Sequence, residues 1–360
     1  MKIKRIGILT SGGDCGGLNA VVRAVTYRAI EKYGWEVFGI RDGTTGLMQR
    51  PLQYEKLTLK RFTGNLIRQG GTFLGTTSSG NPFRFKMENG KYEDKSQDII
   101  NGYKKLRLDA FIGIGGDGSM KILKKLSDQG GLNFVGIPKT IDNDVNSTEI
   151  SVGYDTAVEV ATSALDMLQP TAASHKRLMV LEVMGRDAGH IALNAGIAGG
   201  ADIILIPEIN YNLIKIAKHI KEIRQQGRNH ALMVVAEAVK KEDGTKATVK
   251  HTGGQIRLGG IGSYLAHKIS QLTDTETRVT VLGHVQRGSQ PSSRDRLVGS
   301  AFGVHAVDMI ANNKFNRIAV WQNRGVTDVS LHEIINKSRK VNPNGRLVRT
   351  ARGLGIYLGD

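Results

Sequence analysis

Short apolar runs alternate along the chain with amphipathic stretches of helical period. The runs at 6–9, 110–114 and 134–137 have the length and continuous apolar character of buried strands. The stretches at 20–32 and 156–168 place their apolar residues on one face of a helix. Strands that alternate with helices predict parallel sheets covered on both faces. The fold class predicted is therefore α/β, with doubly wound, mostly parallel sheets.

The alternation falls into two series, which predict two domains with an active-site cleft between them. The first series has strands at 6–9, 37–40, 110–114 and 134–137, and helices at 20–32, 98–106 and 120–128. The second series begins after Tyr154 and has helices at 156–168, 190–198, 213–226 and 261–271, and strands at 177–183, 203–206, 231–236 and 277–282. A polar, hairpin-like stretch at 240–251 interrupts it.

Two polar runs follow predicted strands directly. Gly115–Ser119 (GGDGS) follows the run at 110–114, and Pro138–Asp144 (PKTIDND) follows the run at 134–137. Open α/β sheets bind their ligands at the carboxyl ends of strands. Backbone N–H groups and one carboxylate suit a polyphosphate with its metal, whereas two neighbouring carboxylates suit a base and its supporting group. Together the two runs predict phosphoryl transfer to a hydroxyl.

Composition narrows the classes of protein that remain. The chain has 360 residues, 45 glycines and 40% hydrophobic residues, which is typical of a turn-rich α/β protein. The single cysteine, Cys15, excludes an internal disulfide framework and indicates a reducing, cytoplasmic environment. No apolar run approaches the ~20 residues of a membrane-spanning helix, so we expect no membrane partner. The opening residues 1–6 lack the long apolar core of a signal peptide.

The net charge of +17 could attract anionic substrates or nucleic acid. The lysines and arginines form no long block, and no nucleic-acid-binding motif occurs. We therefore interpret the charge as a scattered basic surface and expect no nucleic-acid partner. A nucleic-acid binder stays open as an alternative, and a steep salt dependence of binding to random DNA would reveal it.

Several motifs in order resemble the phosphofructokinase family across nearly the whole chain. They are LTSGGDCGGLNA from Leu9, GGTFLGT from Gly70, GGDGS from Gly115, PKTIDND from Pro138, MGR from Met184 and GHVQRG from Gly283. The resemblance implies a large donor-binding domain and a smaller sugar-phosphate-binding domain. The large domain is expected at 1–153 plus 285–335, and the small one at 154–284 plus 336–360.

The resemblance implies ATP as co-substrate and Mg²⁺ as cofactor. Gly12 and Gly116 are expected to contact the donor phosphates, and Asp117 is expected to hold Mg²⁺. Gly118 stands where pyrophosphate-using relatives typically carry aspartate, so glycine leaves space for the α-phosphate of ATP. Ser119 is either a nucleotide contact or a cap of the following helix.

At the acceptor end, the resemblance implies Asp142 as the base that takes the proton of the sugar hydroxyl. Asp144 either orients Asp142 or assists the metal, and Thr140 belongs to the same site. At position 139 this chain has lysine, whereas the ATP-using bacterial enzymes carry glycine. Lysine at this position is shared with pyrophosphate-dependent relatives. A departure at Thr76–Ser79, where those bacterial enzymes place an arginine, points to the same mixed-substrate branch.

The remaining implied contacts bind fructose 6-phosphate, the acceptor that the family uses. They are Arg177, Met184, Gly185, Arg186, Glu237, Arg278, His284 and Arg287. Arg177 and Arg278 match positions that relatives contribute from a neighbouring subunit. The resemblance therefore implies a homo-oligomer, either a dimer or a tetramer.

The function that the resemblance implies is ATP-dependent phosphorylation of fructose 6-phosphate at its 1-hydroxyl. Two alternatives stay open at this point. One is a pyrophosphate-dependent or dual-donor enzyme, which Lys139 favours. The other is a catalytically silent sugar-phosphate sensor, which the presence of Asp117, Gly118 and Asp142 argues against.

Overall fold

The computed structural model describes residues 3–78, 80–250 and 256–360. Residues 1–2, Ser79 and His251, all of which entered the sequence interpretation, lie outside the described residues. The strands are β1 (Arg5–Thr10), β2 (Glu36–Ile40), β3 (Tyr54–Leu57), β4 (Phe85–Lys86), β5 (Tyr92–Glu93), β6 (Ala110–Gly115), β7 (Phe134–Pro138), β8 (Leu178–Val183), β9 (Ile203–Leu205), β10 (Ala231–Ala236), β11 (Thr248–Lys250), β12 (Ile256–Leu258), β13 (Thr277–Val281), β14 (Arg317–Gln322) and β15 (Gly325–Ser330).

The helices lie mostly between consecutive strands. They are α1 (Leu18–Tyr27), α2 (Thr45–Met48), α3 (Ser96–Lys105), α4 (Asp117–Gly130), α5 (Tyr154–His175), α6 (His190–Ala198), α7 (Leu213–Gln225), α8 (Ile261–Thr273), α9 (Val285–Gly288), α10 (Ser293–Ala311) and α11 (Arg346–Gly353). A π-helical turn at Arg28–Lys32 continues α1, and short 3₁₀ turns occur at Leu59–Phe62, Leu66–Arg68 and Leu331–Glu333.

The chain divides into two compact units. Unit 1 comprises Met1–Ile141, Val145–Thr156 and Arg287–Ser338, and unit 2 comprises Asp142–Asp144, Ala157–Gln286 and Arg339–Asp360. The three-residue segment Asp142–Asp144 therefore belongs to a different unit from the residues on either side of it.

Unit 1 contains a seven-stranded sheet with the order β15-β14-β7-β6-β1-β2-β3. The inner strands are parallel, and β3 and β15 add antiparallel edges. Every residue of β6 and β7 is buried, as expected for strands covered on both faces. The carboxyl ends of β1, β6 and β7 carry the three motif loops, so they meet at one edge of this sheet.

Unit 2 contains a four-stranded parallel sheet with the order β13-β8-β10-β9. All residues of β8 and β10 are buried. Glu182 in β8 is buried and accepts the N–H groups of Gly260 and Gly262 at 2.9 and 2.7 Å. This carboxylate satisfies the free amides at the start of α8. The predicted α/β class with mostly parallel sheets is confirmed.

Two segments differ from the sequence expectation for physical reasons. Helix α5 continues past Pro170 to His175, because the residues beyond the proline have their own packing: Ala172 clusters with Met179 and Leu232. Helix α10 had no clear signal, because Gly303 interrupts its pattern. That glycine is needed for close approach, since a Cβ there would lie 2.8 Å from the backbone oxygen of Val21 in α1. No helix in the three described ranges is long and apolar enough to cross a membrane.

Candidate active site

The loop after β1 is fixed by main-chain hydrogen bonds. Ser11 N donates to Ile114 O at 2.8 Å, and Gly12 N donates to Thr77 O at 2.9 Å. Thr76 Oγ1 donates to Gly12 O at 2.7 Å. Gly12 has φ +86°, a left-handed conformation that favours glycine. The loop is thus preformed, but the N–H of Gly12 already has Thr77 as its partner.

The loop after β6 leads directly into α4. Gly116 is the N-cap, Asp117 is the first helical residue, and the carboxylate of Asp117 accepts Gly118 N at 2.6 Å. A Cβ on Gly118 would meet nothing within 4 Å, so the space that the sequence interpretation assigned to ATP is open within unit 1. Ser119 does not cap α4, because the cap position belongs to Gly116. Its hydroxyl lies instead 3.2 Å from where a Cβ on Gly12 would stand.

Lys139 connects the two glycine loops. Its side chain is buried, its Nζ donates to Gly13 O, and its main-chain N donates to Gly115 O at 3.0 Å. The same Nζ lies 3.2 Å from the ideal Cβ position of Gly12. An ammonium group is therefore held where the two predicted phosphate loops approach each other.

Arg287 also lies against the first glycine loop. Its Nη1 donates to Asp14 O at 3.0 Å and would be 2.8 Å from a Cβ on Gly13. The sequence interpretation grouped Arg287 with His284 at the sugar phosphate. In the structure Arg287 belongs to unit 1, whereas His284 is an exposed residue of unit 2.

The predicted base stands in a turn that belongs to unit 2. Asp142 and Asn143 are buried, and Asn143 has φ +51°. Arg339 donates twice to this turn, from its main-chain N to Asp144 O at 2.7 Å and from Nε to Asn143 O at 3.2 Å. Arg339 lies in no recognisable motif, so sequence reasoning missed it. Thr140, by contrast, is in unit 1, where its N–H donates to Val152 O at 3.2 Å.

In unit 2, the predicted sugar-phosphate residues Met184, Gly185 and Arg186 form a turn after β8. Glu237 Oε1 accepts Gly185 N at 3.3 Å and Arg186 N at 3.0 Å. Gln286 Oε1 accepts Met184 N at 2.8 Å. Glu237 was predicted to accept a sugar hydroxyl, and here it also shapes the turn. Gln286 is a further positioning residue, fully buried, and its only sequence signal is its place inside GHVQRG.

Arg177 and Arg278 lie together but apart from this turn. Both pair with Glu276, Arg177 through an Nε–Oε2 distance of 2.8 Å. The residue after Arg177 begins β8, whereas Arg186 follows its end. Six residues of strand separate them by about 20 Å at ~3.3 Å per residue. Within one chain, these two arginines are therefore not brought to the same phosphate as Arg186.

Burial shifts the pKa values of three titratable groups in the two units. It raises the pKa of the Cys15 thiol to about 12, so this cysteine is a neutral packing residue. It raises the pKa of Asp295 to about 6, although Gly153 N and Thr156 N donate to that carboxylate at 2.8 Å each. Burial and the nearby Arg339 lower the pKa of His190 to about 4.

No protein-only metal cluster occurs among the described residues, where three or more His, Cys, Asp or Glu side chains never converge. Mg²⁺ in phosphoryl-transfer sites is usually held by one or two carboxylates together with substrate phosphates. Asp117, at the start of α4 and beside the glycine loops, fits that kind of donor set.

Comparison with known proteins decides the family. The model of the family described as Phosphofructokinase matches residues 5–310. The chain belongs to the phosphofructokinase family. A curated relative from Nostoc sp., named ATP-dependent 6-phosphofructokinase 1, is 58% identical over 359 residues, which cover 100% of this chain and 99% of the relative. The resemblance read from the motifs is confirmed.

Solved structures agree with this membership. Phosphofructokinase from Saccharomyces cerevisiae is 29% identical with a TM-score of 0.77, and the match covers 92% of this chain. The chain spans 45% of the length of that yeast chain. A pyrophosphate-dependent phosphofructokinase from Nitrosospira multiformis is 20% identical with a TM-score of 0.80 and covers 99% of this chain and 93% of its own. The latter likeness is one of fold.

Proposed function

We propose that this family member transfers the γ-phosphoryl group of ATP to the 1-hydroxyl of fructose 6-phosphate, giving fructose 1,6-bisphosphate and ADP. We choose ATP as the donor because the space at Gly118, next to Asp117 at the start of α4, is open. The name of the 58% identical relative supports the same activity.

The donor end uses residues of unit 1. The loops at Gly12 and Gly116 bind the phosphates, and Ser119 contacts the nucleotide. The ammonium of Lys139, held at the Gly13 carbonyl, stabilises negative charge on the phosphoryl group as it transfers. Asp117 would hold Mg²⁺ together with the donor phosphates, and the ion would supply positive charge that offsets part of the same negative charge.

The acceptor end uses residues of unit 2. Asp142 takes the proton of the 1-hydroxyl, and Asp144 orients it. Met184, Gly185, Arg186, Glu237 and His284 bind the sugar phosphate.

The phosphate site is completed by Arg177 and Arg278 of a second copy, since within one chain both lie at the other end of β8 from Arg186. We accordingly propose that the protein is a homo-oligomer. We also propose a cytoplasmic location, which the single cysteine supports.

A dual-donor activity is the second candidate, and the placement of Lys139 favours it. An ammonium at the glycine loops assists pyrophosphate as well as ATP, because it acts on the transferring group that both donors share. Gly118 separates both candidates from an enzyme that uses pyrophosphate alone, since only ATP has an α-phosphate and nucleoside to accommodate there.

Asp142→Asn tests the proposed chemistry. The amide keeps the shape of the side chain but cannot take a proton, so kcat should fall by about 10²–10⁴-fold. Binding of fructose 6-phosphate, measured by calorimetry, should persist because the phosphate contacts are unchanged.

The matched control is Asp128→Asn near the end of α4, where the exposed carboxylate pairs with Lys124. Its kcat should equal that of the wild type. A folded Asp142→Asn enzyme with wild-type kcat would remove Asp142 from the role of base.

A further inference from the structure

The turn that carries Asp142 is held by a segment nearly 200 residues later in the chain. Arg339 donates to two successive carbonyls of the turn, Asn143 O at 3.2 Å from Nε and Asp144 O at 2.7 Å from its main-chain N. Arg339 and the segment Asp142–Asp144 both belong to unit 2.

The residue between Asp142 and Asp144 has a left-handed backbone conformation. Asn143 is buried with φ +51°, a conformation that costs free energy for a residue with a side chain. Its carbonyl and that of Asp144 accept hydrogen bonds from Arg339. The direction of the Asp142 side chain follows from the backbone of this turn.

The supporting segment is itself anchored. His190 is the first residue of α6, and its Nε2 donates to Arg339 O at 3.2 Å. Burial and the nearby Arg339 lower the pKa of His190 to about 4, so its ring is neutral at neutral pH. Glu208 accepts Val341 N at 2.9 Å and also Gly189 N at 3.0 Å. The segment 339–341 is thereby tied on both sides to the start of α6.

We propose that Arg339 is a positioning residue for the general base: through the carbonyls of Asn143 and Asp144 it fixes the turn that aims Asp142 at the acceptor hydroxyl. The inference rests on the proposed function, in which Asp142 is the base. The Arg339 side chain donates to the backbone of the turn that carries Asp142, so its loss should change the chemical step and leave the binding of both substrates nearly unchanged.

The test uses Arg339→Met, Arg339→Lys, Asp142→Asn and the double variant Asp142→Asn/Arg339→Met, each as the full chain. Arg339→Met removes the Nε donor to Asn143 O and keeps the main-chain N–H bond to Asp144 O. Misplacing a reacting group by about 1 Å costs about 100-fold, so kcat should fall by up to that order with both KM values nearly unchanged. Arg339→Lys should recover part of kcat, because an ammonium still donates but lacks the planar fork. The double variant should be no slower than Asp142→Asn, because the arginine acts through the aspartate.

The matched control is Arg317→Met. The Arg317 guanidinium also donates to a main-chain carbonyl, Asp328 O at 2.9 Å, but at the β14–β15 edge of unit 1. It should change stability only.

Each outcome decides something different. If Arg339→Met has the kcat of the Arg317→Met control, or if its effect multiplies with that of Asp142→Asn, the positioning role is wrong and the base assignment stands. A raised KM for fructose 6-phosphate at unchanged kcat would likewise overturn positioning in favour of a binding role. Wild-type kcat in Asp142→Asn would overturn the proposed base and this inference together.

Discussion

Gly118→Asp should suppress the use of ATP without disturbing the fold. The site offers room for the new side chain, since a Cβ there meets nothing within 4 Å. The backbone is that of the first turn of α4, where an added carboxylate gains about 0.3–1 kcal/mol from the helix dipole. Any loss of activity therefore reports on the donor and not on folding.

The magnitude follows from the charge placed beside the α-phosphate. Two like unit charges about 4 Å apart repel by about 4 kcal/mol at an effective dielectric of ~20 and by about 1 kcal/mol in water. Because Gly118 is exposed, the true value lies between these limits. At 1.4 kcal/mol per tenfold, ATP should bind between about 5-fold and 700-fold more weakly.

The assay compares initial rates with ATP and with pyrophosphate at saturating fructose 6-phosphate. Gly118→Asn is the matched control, because asparagine has nearly the same shape as aspartate and carries no charge. The expected order of ATP affinity is wild type, then Gly118→Asn, then Gly118→Asp. Equal ATP affinity in the wild type and Gly118→Asp would refute the placement of the α-phosphate at this residue.

Two further predictions concern assembly and pH. The Asp142→Asn and Arg278→Ala variants should each be impaired alone, and mixing their subunits should restore part of the activity. Recovery is expected because hybrid oligomers contain some sites in which both residues are native. No recovery would mean that each site lies within one chain. The pKa of Asp295 is raised to about 6 from 3.8, so the folded state binds this proton more tightly than the unfolded state. The contribution of Asp295 to the free energy of unfolding, roughly 3 kcal/mol, is fully present below about pH 4 and is lost as the pH rises through about 6. In urea unfolding, Asp295→Asn should remove that change, and an unaltered pH dependence would contradict it.

The alternation of apolar runs and helices was sufficient to predict the α/β class and most elements of both sheets. Such runs are informative because parallel strands buried on both faces are continuously apolar. The same reasoning failed at α10, whose glycines serve close packing against α1, and at the end of α5, where tertiary contacts override Pro170. Local pattern does not encode these contacts between distant segments.

The loops of the candidate site could be located from sequence where motifs follow strands, and the residues that support them from distant chain segments could not. The glycine loops and the Asp142 turn could be located from sequence, because carboxyl ends of parallel strands gather ligands at one edge. The Lys139 contact with Gly13 joins two such loops across 126 residues. Arg339 and Gln286 act only through backbone groups of remote segments, and no composition or spacing signal marks such contacts.

A donor comparison with the purified wild-type protein distinguishes ATP from pyrophosphate as the source of the phosphoryl group. Fructose 6-phosphate and Mg²⁺ are supplied with either ATP or pyrophosphate, and the product is identified by phosphorus NMR. We expect fructose 1,6-bisphosphate and ADP, with a higher kcat/KM for ATP than for pyrophosphate. Faster turnover with pyrophosphate, or no phosphorylation of the 1-hydroxyl with ATP, would contradict it.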